Sequence, residues 1–411
     1  MPTHVNLLSQ ITNAIVLLPA VYVFTLMWLI PDGEKYVPGL ILLACIFGCG
    51  GVIAKKKQYQ VLTNQRPFLL ALTSLTAYGL LTYFWKGESW TTLRAFTAIT
   101  LYAWLISGQT FKTHHVRLLL LISGGCLSAI SAYQAASGYD RISGFINPIP
   151  FATALATMTL LIALITVRTS HLAIKLIGAT LVLLLFISTL LTQTRGVIVP
   201  IILIGIAGVT FKLLTSKIKL AGKVSIGLLI GLSAFLTTIT AIEDRIDHTL
   251  LEMQRIQSGD LSSSIGLRIQ MWSASIKLVS DKPLLGHGEL HESALAKLEA
   301  KGKVDESLFQ YSPSHYHNQF LDFLVKQGAI GLALLLLTIS LGLRAVYLNS
   351  FEPKAWLPAV LIVLTYVAAS LSDVPLRHPN TIYMFIVSLI MLSAISQSEI
   401  PSPKNNLLKA Q

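Results

Sequence analysis

Two histidines, His315 and His317, stand two residues apart in the stretch Ser312–Leu321, just ahead of a long apolar run that begins near Phe320. An imidazole of ordinary pKa takes a proton near neutral pH, so either ring has the chemistry of a general base for a hydroxyl nucleophile. In an extended segment two such residues face the same way; in a helix beginning at Ser314 they would not. Asn318 follows them with the side chain of a helix N-cap, and capping at a membrane edge is the plain structural account of the same stretch. No carboxylate or cysteine lies near the pair in sequence, which makes it a poor zinc site by spacing alone.

A base of this kind needs partners that stabilise the charge its reaction releases. Thr192-Gln193-Thr194-Arg195-Gly196 is nearly all the non-apolar material between two long apolar runs, so Arg195 stays close to a bilayer. A guanidinium at that depth either pairs with an anion or snorkels to the headgroups as an anchor, and at a helix start the unbonded N–H groups favour an anion. Arg268 sits beside Trp272 at the edge of the stripe Ile265, Ile269, Trp272, Ile276 and Val279, whose spacing is that of an amphipathic helix lying over the membrane face. Ser262 to Ser264 supply its cap and Asp281-Lys282-Pro283 its stop. Gly286-His287-Gly288 reads as a flexible turn, and Glu289 to Lys301 as a second helix ended by Gly302. Farther on, Asp373 can orient an imidazole or pair with an arginine, and Arg377 and His378 stand beside it. Asp140-Arg141 reads as a surface turn. The acidic Glu243–Asp247 group reads as a solvated patch.

The elements that must position these groups are almost all apolar. Of 411 residues, 53% are hydrophobic and 12% charged, with a mean hydropathy of +0.67; soluble domains carry about 25% charged residues. Runs long enough to span a bilayer fall near 13–30, 37–54, 68–85, 91–108, 116–136, 149–167, 173–191, 196–214, 224–242, 320–343, 355–372 and 380–397. The first lacks a basic lead-in and a small-residue cleavage site and reads as retained. Sixteen lysines and arginines lie in alternate connections and the C-terminal tail, against five in the short opposite ones (Lys35, Lys86, Arg141, Arg195, Arg377). The asymmetry puts both termini in the cytoplasm and accounts for the +12 net charge without a nucleic-acid partner.

One outward connection is far longer than the rest. It divides the chain into 1–242 with nine spans, 243–319 as an extramembrane subdomain, and 320–411 with three spans and a tail; residues 243–319 hold eleven of the nineteen acids. A structureless loop of that length is uncommon unless it is functional. Cys45, Cys49 and Cys126 all fall within apolar spans, and Cys45 and Cys49, one helical turn apart, cannot bridge in a regular helix. Arg195, Arg268, His315, His317, Asp373 and Arg377 are thus expected on one outward face. Arginines suit a phosphate bidentately, a histidine suits removal of a hydroxyl proton, and together they describe transfer from a phosphate-linked lipid to an alcohol.

This pattern resembles the bacterial O-antigen ligase and O-antigen polymerase superfamily. The resemblance is carried by the twelve-span layout, the large loop before the tenth span, and three signatures in order. These are Thr194-Arg195-Gly196; Arg268 with Trp272 followed by Pro283-Leu284-Leu285-Gly286-His287-Gly288; and His317-Asn318-Gln319-Phe320-Leu321 running to Gly328. It implies an all-α glycosyltransferase of the polytopic C type, without cofactor or metal, in the bacterial inner membrane with its site facing the periplasm. The implied donor is a glycan on undecaprenyl pyrophosphate, transferred with inversion, among membrane lipids, to a hydroxyl of lipid A–core. Arg195 and Arg268 would bind the pyrophosphate and His317 would be the base, with His315, Asn318, Asp373 and Arg377 in support; His315 and His317 are not separable here. Length and a single dominant loop favour the ligase over the polymerase, and the absence of a large C-terminal extension weighs against the relatives that glycosylate proteins. A lipid or glycan transporter would place ionisable groups at span centres, which the charges here avoid apart from the fourth span with Arg94.

Overall fold

The computed structural model describes residues 2–55, 63–107, 109, 111–215, 250–302, 304, 308, 314–349 and 356–396. Helices follow one another along the apolar runs: α1 (Pro2–Phe24), α2 (Val37–Lys55), α3 (Arg66–Lys86), α4 (Trp90–Ile106), α5 (Thr113–Ala136), α6 (Pro148–Arg168), α7 (Leu172–Leu191) and α8 (Arg195–Thr215). The loop contributes α9 (Ser264–Asp281) and α10 (His291–Glu299), and the chain continues through α11 (Gln319–Asn349), α12 (Leu357–Ser370) and α13 (Pro379–Ser393). Their starts follow local chemistry. Asn147 caps α6 by accepting from the Ile149 N–H at 3.0 Å, Ser263 caps α9 through the Gly266 N–H at 3.1 Å, and proline opens α6, α12 and α13 where a missing N–H costs nothing.

Helices stand at eleven of the twelve expected spans; the ninth, 224–242, lies outside the described residues, as do the Glu243–Asp247 group and the end of the tail. Among the described residues six helical stretches are long and apolar enough to cross a membrane: Gln10–Trp28, Thr63–Lys86, Thr113–Ala136, Pro148–Arg168, Leu172–Leu191 and Gln319–Asn349. Three more, Arg195–Ala207, Leu357–Ser370 and Pro379–Ser393, are apolar but shorter. The architecture is that of an all-α, multi-pass membrane protein, with one two-residue parallel pairing among the described residues, Phe111-Lys112 with Ile395-Ser396. Its core threads α1 through α6 and α11 through α13, with α13 buried along nearly its whole length.

The connections sort to two ends of this bundle. At one, Asn64 and Gln65 bond to Asn349 and Ser393. At the other, the connections before α2, α4, α6 and α8, the long loop and the segment before α13 are tied together, Glu34 to Asn380 and Gly87 to Glu289 among them. That second end gathers His315, His317, Asp373 and the Arg195 turn.

The tie is made by a broken helix. Inside α11, Gly328 adopts φ 69°, ψ −174°, a conformation open essentially to glycine alone. The break strands backbone groups that a continuous helix would satisfy, and the segment Pro283–Gly288 takes them up. Ala329 N–H donates to Pro283 O (2.8 Å), Ile330 N–H to Leu284 O (3.2 Å), and Val325 O accepts from His287 N–H (2.7 Å). Lys86 donates to the carbonyls of Leu285, Gly286 and Lys326, and Tyr78 Oη to that of Gln327 at 2.7 Å. The expected flexible turn at Gly286-His287-Gly288 is therefore a fixed one. A Cβ on Gly286 would meet Gly328 N at 2.6 Å, and one on Gly288 would meet Lys86 O at 2.6 Å. Backbone packs on backbone there, which only glycine permits. Gly328→Ala, whose Cβ would collide with Leu284 and lie 2.6 Å from Leu285 N, should destabilise the protein by more than the ~1–3 kcal/mol of the strained backbone alone. The expected observation is a lowered midpoint in a thermal-unfolding assay of the detergent-solubilised protein.

Candidate active site

The histidine stretch enters α11 through Asn318, whose Oδ1 accepts from the N–H groups of Phe320 and Leu321, both at 3.1 Å. The expected cap is present. Just before it the side chains alternate. Tyr316 is fully buried, packed with Met271, Leu278 and Val325, and its hydroxyl lies 3.0 Å from His291 Nδ1. His315 and His317 point the other way, ring centroids 4.3 Å apart. His317 holds a left-handed φ of 46°, uncommon for a residue with a side chain.

Both rings meet Asp373, which is 1% exposed. His317 Nδ1 lies 3.2 Å and His315 Nε2 3.4 Å from Asp373 Oδ1. The alternative partner weighed for this carboxylate, an arginine, is not the one it takes. Burial pushes the Asp373 carboxyl up, but the hydrogen bonds to His315 and His317 outweigh it and hold the group below its ordinary range. His315 is bonded at both nitrogens, since its Nδ1 lies 3.0 Å from Ser314 Oγ. In His317 the carboxylate engages Nδ1 as donor, which leaves the lone pair on Nε2. Geometry thus separates two residues that sequence could not. The three donor atoms lie within 4.8 Å of one another, so the histidine pair has the nearby carboxylate that spacing along the chain did not reveal.

The arginine turn reaches the same place. Arg195 is the first residue of α8, and a Cβ on Gly196 would overlap Ser372 Oγ and come within 2.8 Å of Ser372 Cβ. The start of α8 therefore lies against the residue preceding Asp373, an approach that glycine allows. Arg141, expected in a plain surface turn, braces this arrangement: its Nε donates to Thr192 O at 2.6 Å and its Nη2 to Thr194 Oγ1 at 3.2 Å. Arg268 lies one helical turn before Trp272 on α9, and Trp272 Nε1 donates to Tyr316 O at 3.1 Å, between the two histidines. Of the expected stripe on α9, Ile269 and Ile276 face away from the protein, Ile276 61% exposed, whereas Trp272 and Val279 pack against the buried cluster around Tyr316. The packed face is Gln270, Met271, Ala274, Ser275 and Leu278, so the helix is apolar on two sides.

Arg377 has a different assignment. Its guanidinium lies 3.5 Å from Glu289 and 3.7 Å from Asp322, and Lys326 lies 3.7 and 3.5 Å from the same two acids. This neutral four-charge group joins the long loop, α11 and the segment before α13 beside the histidines. Asp322 and Lys326 were legible as an i, i+4 acid–base pair inside an apolar run, an expensive placement that demands a purpose.

A cleft walled by Leu75, Leu93, Phe96 and Phe323 opens on this group, and Glu88 sits at its charged end with Oε2 unpartnered among the described residues. Burial pushes the Glu88 carboxyl up to about 7. A carboxyl raised in the folded state favours folding below its unfolded pKa and loses that contribution as the pH rises through the folded value. Stability should therefore fall between about pH 4.5 and 7, and Glu88→Gln should flatten this part of a melting-temperature profile against pH. Burial likewise pushes His291 and His378 down to about 4, so both are neutral at pH 7.

Fold and site together define a class: a multi-pass α-helical membrane protein that collects a histidine–carboxylate pair and arginines at one end of its helices. Residues 153–336 match the family model described as O-Antigen ligase. That segment is a little under half of the chain, and the match supports a membrane protein of the O-antigen ligase/polymerase superfamily, whose members are membrane glycosyltransferase-like enzymes. The matched segment holds Arg195, Arg268, His315 and His317; Asp373 and Arg377 lie beyond it. An uncharacterized protein of Haemophilus influenzae (strain ATCC 51907 / DSM 11121 / KW20 / Rd) is 24% identical over 234 residues, 52% of this chain and 54% of that protein. The match spans about half the length of that relative.

Proposed function

We propose that the protein is an O-antigen ligase of the inner membrane, moving a glycan from undecaprenyl pyrophosphate to a sugar hydroxyl of lipid A–core on the periplasmic side. The observation that carries this reading is His317, oriented through Nδ1 by buried Asp373 at 3.2 Å with Nε2 left to accept a proton. The acceptor oxygen attacks the anomeric carbon from the face opposite the pyrophosphate. Its proton passes to His317 Nε2, the bond from carbon to pyrophosphate oxygen breaks, and the configuration inverts. The released pyrophosphate carries the negative charge, which Arg195 at the start of α8 and Arg268 on α9 are suited to bind. No step calls on a metal. His315, Asn318 and Asp373 support the base, and Arg377 supports the scaffold through Glu289 and Asp322.

The test supplies purified protein with undecaprenyl-pyrophosphate glycan and lipid A–core in EDTA. Lipid A–core carrying the glycan is the expected product. Longer glycan still on pyrophosphate would assign a polymerase instead, and substrate relocation across a vesicle membrane without a new covalent product would assign a transporter.

A further inference from the structure

We propose that His315, His317 and Asp373 form a transition-metal site, and that a bound Zn²⁺ ion silences the base. The three ligand atoms lie within 4.8 Å of one another, and both spacings to the carboxylate fit the ion. Zinc bonds of about 2.0–2.1 Å to nitrogen and oxygen place tetrahedral ligands about 3.3–3.4 Å apart, and the two histidine nitrogens lie 3.2 and 3.4 Å from Asp373 Oδ1. A second observation points to a cation. Asp373 is 1% exposed, its Oδ2 has no hydrogen-bond partner among the described residues, and His378 Nε2 close behind it has none either. The carboxylate thus keeps one buried oxygen free of hydrogen bonds, a group that a cation beside it would satisfy.

The consequence follows from tautomers. A neutral imidazole has one N–H. With His317 bonded to Asp373 the proton sits on Nδ1 and Nε2 accepts; with Nδ1 on zinc the proton sits on Nε2, which then donates. His315 changes in the same sense, its proton moving from Nε2 to Nδ1, where Ser314 Oγ at 3.0 Å accepts it. No proton is gained or lost by the pair. The ion is therefore a reversible competitor of a reaction that itself uses no metal, and only this loss of transfer rests on the function proposed above. Nitrogen donors suit Zn²⁺ and Co²⁺ and discriminate against Mg²⁺ and Ca²⁺.

The binding test uses the full chain in detergent, purified without a histidine tag, stripped with chelator and titrated with Co²⁺ alone. A visible absorption band of a tetrahedral site should saturate at one equivalent and be displaced by Zn²⁺. His315→Gln and His317→Gln, two variants so that one misfolding protein does not decide the result, should weaken cobalt binding by more than about tenfold, the least that disturbing even an outer-shell partner costs. The double variant of the only adjacent histidine pair, His114→Ala/His115→Ala, should keep the band. No band in the wild type, or a band that survives in well-folded His315→Gln and His317→Gln, overturns the site. In the transfer assay Zn²⁺, and not Mg²⁺, should slow the rate, with recovery in EDTA. An intact cobalt band without inhibition overturns the silencing, whereas no transfer even in chelated protein indicts the functional reading, which the binding titration does not use.

Discussion

Replacing His317 by asparagine lowers the transfer rate by about 10²–10⁴-fold, the usual worth of a positioned general base, while the protein accumulates in the membrane in normal amount. Asparagine is the informative substitution because His317 holds φ 46°, which asparagine tolerates better than other residues. His317→Ala should lose the same activity with a small added cost in stability. His315→Asn should lose less, because His315 is bonded at both ring nitrogens and supports Asp373 without presenting a free lone pair. The comparison is made on initial rates at matched protein, with size-exclusion profiles reporting the fold. Turnover at the wild-type rate in His317→Asn removes the base assignment.

Arg195→Lys lowers the rate by about 10²–10³-fold, as for loss of a donor aimed at developing charge. The conservative change is severe because a lysine is a point charge, whereas the guanidinium holds two oxygens of a phosphate in one plane. The position matters as much as the charge: Gly196 lets the α8 start come against Ser372, one residue from Asp373. Arg141 fixes the preceding turn through Thr192 and Thr194. If Arg195 were only a lipid anchor, lysine would serve equally and the rate would be unchanged.

Much of this was legible in the sequence for one reason, that a bilayer forbids polar residues without purpose. Apolar run length located eleven helices, the cap residues Ser263 and Asn318 marked helix starts to within a residue, and the Arg195 turn, the histidine stretch and Asp373 share one end of the bundle. What spacing could not carry was contact between distant segments. Asp373 lies fifty-six positions after His317, and nothing in either stretch names the other. Arg377, expected in support of the site, is held by Glu289 and Asp322, acids that neither stretch names. Gly286 and Gly288 looked flexible because glycine is permissive, yet here glycine serves close backbone approach to the break at Gly328. Arg141 looked like a turn residue because its partners, two carbonyl and hydroxyl oxygens of ordinary threonines, leave no trace in sequence.

Whether Asp373 acts through His317 is decided by a double-mutant cycle. Transfer rates would be compared for wild type, Asp373→Asn, His317→Asn and the double variant under single-turnover conditions. If the carboxylate works by holding the imidazole with Nε2 free, Asp373→Asn lowers the wild-type rate but leaves the residual rate of His317→Asn unchanged. An equal factor lost in both backgrounds would mean that the two residues act independently, and would contradict the account.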